Sequence, residues 1–363
     1  MNYSGYSKLI EKIAAVIGSR KLVLRYKNTA LENELLEKAG LKASFYVTGE
    51  ANKVNNIDSF PESVLEGKQD EYLLLISPTL GWNINSENRY AQMGYVYMEN
   101  VFWCRPKPQI YKYTDKPLIV DDIYGNHISL SSPISVKVTG RNNNIVIGKN
   151  VYFPKTMVLC ADDNINIVIE DNCTIIPSLF KFAAYSSIAI HENVKIHGMS
   201  VFVNSYSNVD IGKNTTIQTG NLRTGRNQSV VIGEDCMFSW DIVICPHDGH
   251  LIWDLHSQKP INNTLGDNRI SVILGDHVWV GGETVFMPNS SVGSGSVCGY
   301  RTMVKGRFPN NCIIAGQPAR IIKKDIAWTR PNVSFDNEED FLNINEDYRK
   351  FTEDGQEQQQ TSS

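Results

Sequence analysis

The sequence predicts a mainly β protein in which short parallel strands wind into stacked coils, preceded by a small α/β domain with an open sheet. Two observations carry this prediction. One short pattern recurs from about residue 145 at nearly constant spacing, whereas residues 1–104 alternate apolar strands with short helices. The composition is globular, since 42% of the 363 residues are hydrophobic and 20% are charged. A disordered or collagen-like chain is therefore excluded.

Residues 1–104 form the first predicted domain. Its N-terminal stretch interrupts an apolar run with Glu11 and Lys12, which predicts an amphipathic helix rather than a signal peptide. A further helix is predicted at Thr29–Ala39, and apolar runs predict strands at Arg20–Tyr26, Lys42–Thr48, Tyr72–Ser77 and within Gly94–Cys104. The turn after the first strand, residues 27–29, has no GxGxxG pattern, so a nucleotide pocket is not supported. A structural or acceptor-positioning role is favoured for this domain.

Residues 105–130 predict an extended linker, and residues 131–324 carry the repeat. Each repeat unit opens with an aliphatic residue, passes through turn residues and then alternates small and apolar side chains. The units are IGKNVYF (147–153), IEDNCTI (169–175), IHENVKI (190–196), IGKNTTI (211–217), IGEDCMF (232–238), LGDHVWV (274–280) and VGSGSVC (292–298). Their first residues are separated by 22, 21, 21, 21, 42 and 18 positions, and 42 is twice 21. The repeat frame therefore survives one long interruption.

The apolar residues alternate with period two inside each unit, which indicates strands and excludes an α-helical solenoid. The fifth position of every unit is small or β-branched and the seventh is apolar, so both are predicted to face a narrow core. Each coil buries its apolar face on its neighbours, so the coils are stable only as a stack. Cys173 and Cys236 occupy fifth positions and are expected to be small core residues rather than ligands.

The interruption, residues 241–270, is predicted to loop out from the stack, and a loop on a rigid scaffold is a common place for functional residues. It contains three of the seven histidines: His247, His250 and His256. No metal is predicted, because HxxH without a nearby cysteine pair is a weak ligand pattern. General-base catalysis is favoured, since it needs only one histidine beside a positioned hydroxyl group.

Residues 325–363 are predicted to form a polar C-terminal extension with a short helix around Glu338–Tyr348 and a disordered end. The seven cysteines occur singly, which argues against a disulfide framework and favours a reducing, cytoplasmic setting. The net charge of −4 is too balanced to imply nucleic acid binding. No apolar run approaches the ~18 residues that a membrane span requires.

The repeat pattern [LIV]-G-x-x-[STAVC]-x resembles that of the hexapeptide-repeat acyltransferases, which implies a left-handed parallel β-helix and a homotrimer. Four landmarks resemble, in order, the capsular-polysaccharide and polysialic-acid O-acetyltransferase subgroup: DGHLIWD (248–254) with KPIN (259–262), LGDHVWVG (274–281), GQPARII (316–322) and Trp328. The family's usual coil has eighteen residues, as between 274 and 292 here, so the longer coils predict a bulge at one corner. The first domain loosely resembles the nucleotide-fold domain that precedes the β-helix in some sugar acyltransferases.

This resemblance also implies site residues. The catalytic histidine falls on His250, the tryptophan of the active-site groove on Trp279, and the loop acid near the histidine on Asp248. His247 and His256 lie outside the match and are expected to be solvated. His277 occupies a turn position of the repeat, and its side chain is expected to be exposed.

The implied donor is acetyl-CoA, without a metal, and the implied acceptor is a hydroxyl group of a cell-surface glycan. The phosphate groups of CoA require fixed cations, and glycines allow its pantetheine arm to approach the backbone closely. The expected donor-binding residues are Gly281, Gly282, Gly299, Lys305, Arg320 and Lys323. Two alternatives remain open at this point: an N-acetyltransferase acting on an amino-sugar nucleotide, and a non-catalytic β-helix scaffold.

Overall fold

The computed structural model describes residues 4–25, 36–37, 40–48, 52–54, 57–76, 84–104, 107–154, 157–158, 162–176, 179–262, 270–330 and 348–352. Its helices in the first domain are α1 (Ser4–Ile17), α2 (Ile84–Gln92) and the 3-10 turn Glu62–Leu65. The strands of that domain are β1 (Lys21–Arg25), β2 (Ala43–Thr48), β3 (Asn52–Val54), β4 (Ile57–Pro61), β5 (Tyr72–Ile76) and β6 (Val101–Trp103).

These six strands form one open sheet in the order β3-β4-β2-β1-β5-β6, parallel except for the β3–β4 pair. A parallel sheet needs cover on both faces. Leu22 packs on one face with Leu9 of α1, and Val23 packs on the other with Trp103. The predicted strands at 20–26, 42–48 and 72–77 are found. The helix predicted at 29–39 and the turn at 27–29 lie outside the described residues, apart from residues 36–37.

The segment expected to be an extended linker, 105–130, contains paired strands in its described part: β7 (Gln109–Lys112), β8 (Leu118–Asp121) and β9 (His127–Leu130). β9 already pairs in register with the coils. A turn at Asp122 joins the two domains, because its carboxylate accepts hydrogen bonds from the Tyr111 hydroxyl group at 2.6 Å and the backbone N–H of Tyr124 at 2.8 Å. The Tyr124 ring is buried in the core of the first domain.

The remaining strands are β10 (Ser135–Val138), β11 (Asn144–Ile147), β12 (Met157–Val158), β13 (Asn166–Ile169), β14 (Thr174–Ile175), β15 (Leu179–Phe182), β16 (Ser187–Ile190), β17 (Lys195–Val203), β18 (Asn208–Ile211), β19 (Thr216–Arg223), β20 (Gln228–Ile232), β21 (Met237–Phe238), β22 (Ile242–Ile244), β23 (Trp253–Asp254), β24 (Lys259–Pro260), β25 (Ile270–Leu274), β26 (Trp279–Val280), β27 (Val285–Phe286), β28 (Ser290–Val292), β29 (Val297–Cys298), β30 (Met303–Val304), β31 (Arg307–Phe308), β32 (Cys312–Ala315) and β33 (Arg320–Lys324).

From β11 onward these strands wind into the predicted left-handed parallel β-helix, and each coil contributes to three faces. The first face stacks β9, β11, β13, β16, β18, β20, β25, β28 and β31. The second face includes β21, β26 and β29, and the third includes β22, β27 and β30. We call the turns after the first, second and third faces the first, second and third corners.

The repeat positions pack as predicted. The leading aliphatic residues of all seven units are at most 2% exposed, and the fifth positions, Cys173 and Cys236 among them, are at most 4% exposed. A left-handed backbone turns the chain at the first corner, and Asn and Asp adopt that conformation more easily than other side chains. Asn150, Asn172, Asn193, Asn214 and Asp235 all have φ between 53° and 62° there.

The coils of 21 residues differ from the prediction, because their extra residues do not bulge out. β17 and β19 run through the second corner as continuous strands of nine and eight residues. In the eighteen-residue coil that begins at Leu274, Glu283 turns the same corner with φ 58°. Extended backbone spans more distance per residue than a tight turn does. Most of the added length lies on the first face, where Tyr206 and Asn214 are eight positions apart, whereas Asn289 and Gly295 of the shorter coil are six apart.

The helix predicted around 338–348 lies outside the described residues except for its last position. The described C-terminal residues 348–352 form a helical turn whose Phe351 is 5% exposed. The Phe351 carbonyl accepts a hydrogen bond from Asn310 Nδ2 at 2.8 Å, and the Tyr348 hydroxyl donates to Asp325 at 3.2 Å. The chain after the last coil therefore packs back onto the first corner.

We expect the first corner to discriminate between substitutions at Asn214, whose φ is 61°. Asn214→Val should lower the free energy of unfolding by about 1–2 kcal/mol, because a β-branched side chain is strained in the left-handed region. Asn214→Gly should cost less, since glycine adopts this backbone freely. Thermal unfolding of the two variants measures the difference, and equal melting temperatures would contradict the role assigned to the corner.

Candidate active site

The interrupting loop leaves the stack at the third corner and returns at the same corner. It begins after β22 on the third face and ends at β25 on the first face, while β20 pairs directly with β25. Within it, β23 and β24 form a short antiparallel hairpin. Residues 263–269 of the loop lie outside the described part of the chain.

Asn262 fastens the two ends of the loop together. Its Nδ2 donates to Asp248 Oδ2 at 2.9 Å and to the carbonyl oxygen of His250 at 2.8 Å, and its Oδ1 accepts from the backbone N–H of Ile252 at 2.7 Å. One amide side chain thus holds the backbone at His250 and Ile252 and the side chain of Asp248. Sequence analysis included Asn262 in the matched motif without giving it a role, and its position in KPIN was the available signal.

The imidazole of His250 is exposed, and the backbone that carries it is held by the hydrogen bond from Asn262. Asp248, expected near the histidine, lies two residues away, and its carboxylate is hydrogen bonded to Asn262. Asp254 supports the hairpin turn: hydrogen bonds from the backbone N–H groups of Ser257 and His256 lower the pKa of its carboxyl group.

His247 was expected to be solvated and is instead half-buried. Its side chain lies over Gly225, where a Cβ atom would approach the Cβ of His247 to 3.0 Å. Burial lowers the pKa of His247, and the positive charge of Arg223 lowers it further. His247 is therefore neutral at pH 7 and packs against the stack, whereas His256 is exposed at the hairpin tip.

Trp279 lies on the second face, and its side chain is 40% exposed. Because the third corner lies between the third and first faces, the second face is opposite that corner across the apolar core. A single chain therefore does not bring His250 and Trp279 together.

The loop also exposes apolar side chains. Leu255 is 87% exposed and Ile261 is 67% exposed, and Leu251, Ile252 and Trp253 are each at least 44% exposed. Contiguous exposed apolar surface marks an interaction site more often than a solvated one.

His277 is not exposed as expected, because its side chain is only 12% exposed. Its Nδ1 lies 2.6 Å from Asp235 Oδ2, its Nε2 lies 2.9 Å from the Trp328 carbonyl oxygen, and its ring stacks on Trp328 with centroids 4.0 Å apart. Arg330 bonds Asp235 from the other side and donates to the carbonyl oxygen of Cys236 at 2.6 Å. We call Asp235, His277, Trp328 and Arg330 the C-terminal clasp.

The clasp supports the second face beside Trp279, since the Trp328 ring centroid lies 5.9 Å from that of Trp279. Burial opposes ionisation of Asp235, but the hydrogen bond from His277 and the charge of Arg330 outweigh it and hold the pKa of Asp235 below its usual value. Sequence analysis matched Trp328 and missed the rest of the clasp.

The expected donor-binding residues lie in the last coils but on different sides. Gly281, Gly282 and Gly299 form the second corner, where a Cβ atom at Gly282 would come within 2.9 Å of the Trp240 ring. Lys305 follows β30 at the third corner, whereas Arg320 and Lys323 lie on the exposed strand β33, which pairs with β32. Their role in binding the donor stays a prediction.

The described residues contain no group of three or more His, Cys, Asp or Glu side chains arranged to hold a metal ion. Among the same ranges, no helix has the length and apolarity needed to cross a membrane.

The polysialic acid O-acetyltransferase of Escherichia coli O1:K1 is 35% identical to this chain over 143 residues, covering 39% of this chain and 45% of the relative. A putative lipopolysaccharide biosynthesis O-acetyl transferase of Escherichia coli K12, WbbJ, is 34% identical over 101 residues, covering 27% and 51%. The chain thus spans about half the length of the curated relatives it matches. No family model matches the chain.

Among solved structures, the polySia specific acetyltransferase NeuO aligns with a TM-score of 0.50 and 32% identity, covering 58% of this chain and 96% of that one. The similarity extends over almost the whole of the solved chain. The portion of this chain that lies outside the alignment is large enough to include the α/β domain.

The clasp predicts a pH-dependent contribution to stability. Because the pKa of Asp235 is depressed in the folded state, its contribution is present above the ordinary aspartate pKa of about 3.9. It is lost as the pH falls through the depressed value. Asp235→Asn should therefore cost about 1 kcal/mol at pH 6, a value reduced by solvent screening of a partly exposed pair.

Thermal unfolding of both proteins between pH 6 and pH 3 measures this effect. The two melting temperatures should converge at the acid end. A constant difference across the whole range would contradict the ionic role of Asp235.

Proposed function

Since this chain belongs to the hexapeptide-repeat acyltransferases, we propose that it transfers an acetyl group from acetyl-CoA to a hydroxyl group of a cell-surface glycan of the capsular polysaccharide type. The observation that carries the proposal is the corner loop, in which the matched histidine is exposed and Asn262 holds its backbone carbonyl group and the N–H of Ile252. The relatives named for O-acetyl transfer to glycans support the choice of a hydroxyl acceptor.

An alcohol is a weak nucleophile at neutral pH, so a base must take its proton as the oxygen attacks the thioester carbonyl. In this proposal His250 is that base. The acceptor oxygen forms a bond to the acetyl carbon, the carbon–sulfur bond breaks, and the imidazolium returns the proton to the departing thiolate of CoA. The transfer is direct, and Asp248 and Asn262 act as positioning residues, because their contacts fix the backbone that carries His250.

Within the described part of the chain, the cysteines support direct transfer rather than an acyl-enzyme, because a cysteine nucleophile must ionise to its thiolate and five of the six are buried. Burial raises the pKa of the Cys173 thiol to about 11 and that of Cys236 to about 12. Burial likewise raises the pKa values of Cys298 and Cys312. Cys245 stands closer to the loop, but its Sγ is 3.6 Å from the carbonyl oxygen of His247 and does not enter the mechanism.

The proposed active assembly is a homotrimer in which each site joins two chains. His250 and Trp279 lie on opposite sides of one stack, so a site that uses both needs the loop of one chain and the second face of another. The exposed apolar side chains of the loop support this arrangement, because a neighbouring chain would cover them. Acetyl-CoA would then lie beside Trp279, with Lys305, Arg320 and Lys323 as the cations for its phosphate groups.

Replacement of His250 separates catalysis from binding. His250→Ala should reduce turnover by about 100- to 10,000-fold, the range expected for loss of a general base. Acetyl-CoA should still bind, because the base does not hold the donor. Calorimetry with acetyl-CoA and acetyl transfer to sialic acid oligomers measure the two effects.

His256→Ala is the matched control, since this histidine is exposed in the same loop. Full activity of His250→Ala would remove the mechanism. A protein that binds no acetyl-CoA at all would favour the hypothesis of a non-catalytic β-helix scaffold instead.

Mixing two inactive chains tests the shared site. Trp279→Ala and His250→Ala should each be impaired alone. When they are co-expressed and the mixed trimers are isolated with two different tags, about one of the three interfaces in each trimer joins two intact residues and regains activity. Mixed oligomers as inactive as the separate variants would contradict the arrangement between chains.

A further inference from the structure

Two tyrosines stack along the third corner on the coils ahead of the loop. Tyr185 and Tyr206 occupy the same corner position on successive coils, with φ 60° and 61°. Their ring centroids are 4.9 Å apart and the rings are stacked nearly parallel, with 3° between the planes. The guanidinium group of Arg226, on the next coil, lies 4.9 Å from the Tyr206 ring centroid. The stack is exposed, with 40% of Tyr185 and 44% of Tyr206 accessible.

A second row runs beside the first on the outer surface of the third face. The strand register places Lys181 beside Phe202 and Phe202 beside Arg223. Both cations lie over the same ring, with Lys181 Nζ and Arg223 Cζ each 5.5 Å from the Phe202 centroid. We call these two rows together the corner stripe: Lys181, Tyr185, Phe202, Tyr206, Arg223 and Arg226.

The cations of the corner stripe have no acidic partner within the described ranges of the chain. Other long cations of the repeat domain do have acidic partners: Lys213 pairs with Glu234, Arg301 with Glu283 and Arg141 with Asp163. An aromatic ring holds a cation in place without neutralising its charge. The corner stripe is therefore a fixed positive surface on a chain whose net charge is −4.

The corner stripe leads to the loop that carries His250. Arg226 lies on the coil directly before that loop, and Gln228 Nε2 donates to the carbonyl oxygen of Pro246 at 2.6 Å, where the loop begins. The close approach of Gly225 to His247 brings the two features into contact. A chain molecule bound along the third corner thus has one end at the proposed base.

We propose that the corner stripe binds the acceptor, and that the acceptor is an acidic glycan chain of several sugar residues. The stripe repeats once per coil, at a spacing close to the length of one pyranose ring, which suits a polymer rather than a single sugar. Carboxylate groups along such a chain complement the three unpaired cations. This inference rests on the proposed function for the identity of the ligand, while the binding surface itself does not depend on turnover.

The test uses the full chain carrying His250→Ala, so that binding is measured without reaction. The probes are a long oligomer of sialic acid, its disaccharide, and neutral dextran. The long acidic oligomer should bind at least tenfold more tightly than the disaccharide, and added salt should weaken the binding of the long oligomer. Dextran should not bind measurably.

Two variants locate the binding. Arg223→Ala combined with Arg226→Ala should weaken binding of the long oligomer by roughly tenfold or more, and Tyr206→Ala should weaken that binding less. Lys149→Ala, an exposed lysine at the first corner, is the matched control and should have no effect. Equal binding of the long oligomer by the double variant and the control, or equal binding of dextran, would overturn the proposal.

Two further measurements distinguish the remaining outcomes. Sedimentation of Arg223→Ala/Arg226→Ala should give the same oligomeric state as the unaltered protein, and dissociation would show that the stripe is a contact between copies of this chain. In the chain with His250 intact, the double variant should raise KM for the long acceptor and leave KM for acetyl-CoA unchanged. Binding through the stripe without any acetyl transfer would overturn the proposed function and leave the stripe standing.

Discussion

Parallel pairing of each coil with the next, in register, is the constraint on which the rest of the structure depends. It places every residue directly beside its equivalent one coil away, at about 4.8 Å. The apolar core follows, because Ile190, Ile211 and Ile232 stack in one buried column. The exposed features follow as well: the same register that aligns the isoleucines aligns Tyr185 with Tyr206 at the third corner. Core and surface are thus two results of a single rule.

The same rule explains how a long loop is tolerated inside the stack. β20 pairs with β25 over five residue pairs, although most of the loop lies between them in sequence. Since the chain leaves and re-enters at one corner, no coil is displaced and the next units continue in frame. The entropic cost of closing a loop rises only slowly with its length, and Asn262 offsets part of it by joining the loop's two ends. The stack can therefore carry an exposed histidine without losing its own packing.

Sequence analysis predicted what the repeat controls and missed what it does not. The buried positions and the loop followed from the spacing, because residues that must fit the core in every coil produce a periodic pattern in the sequence. The clasp produces no such pattern, because Asp235 and Arg330 are 95 residues apart and only the folded chain brings them together. The continuous strands β17 and β19 were also missed, since a longer coil fits either a bulge or an extended corner. The corner stripe was missed because exposed positions are not restricted by the repeat.

In the proposed trimer, the separation of His250 from Trp279 is the reason that each site requires two chains. The core between them is filled by residues such as Phe238 and Phe286, which are at most 1% exposed. A second chain explains three features at once: the divided site, the apolar loop surface, and a clasp that holds the second face beside Trp279 in place. The clasp stabilises a face that the chain's own loop does not reach. In the proposed trimer its contribution to activity therefore passes to the neighbouring subunit, whose His250 acts beside that face.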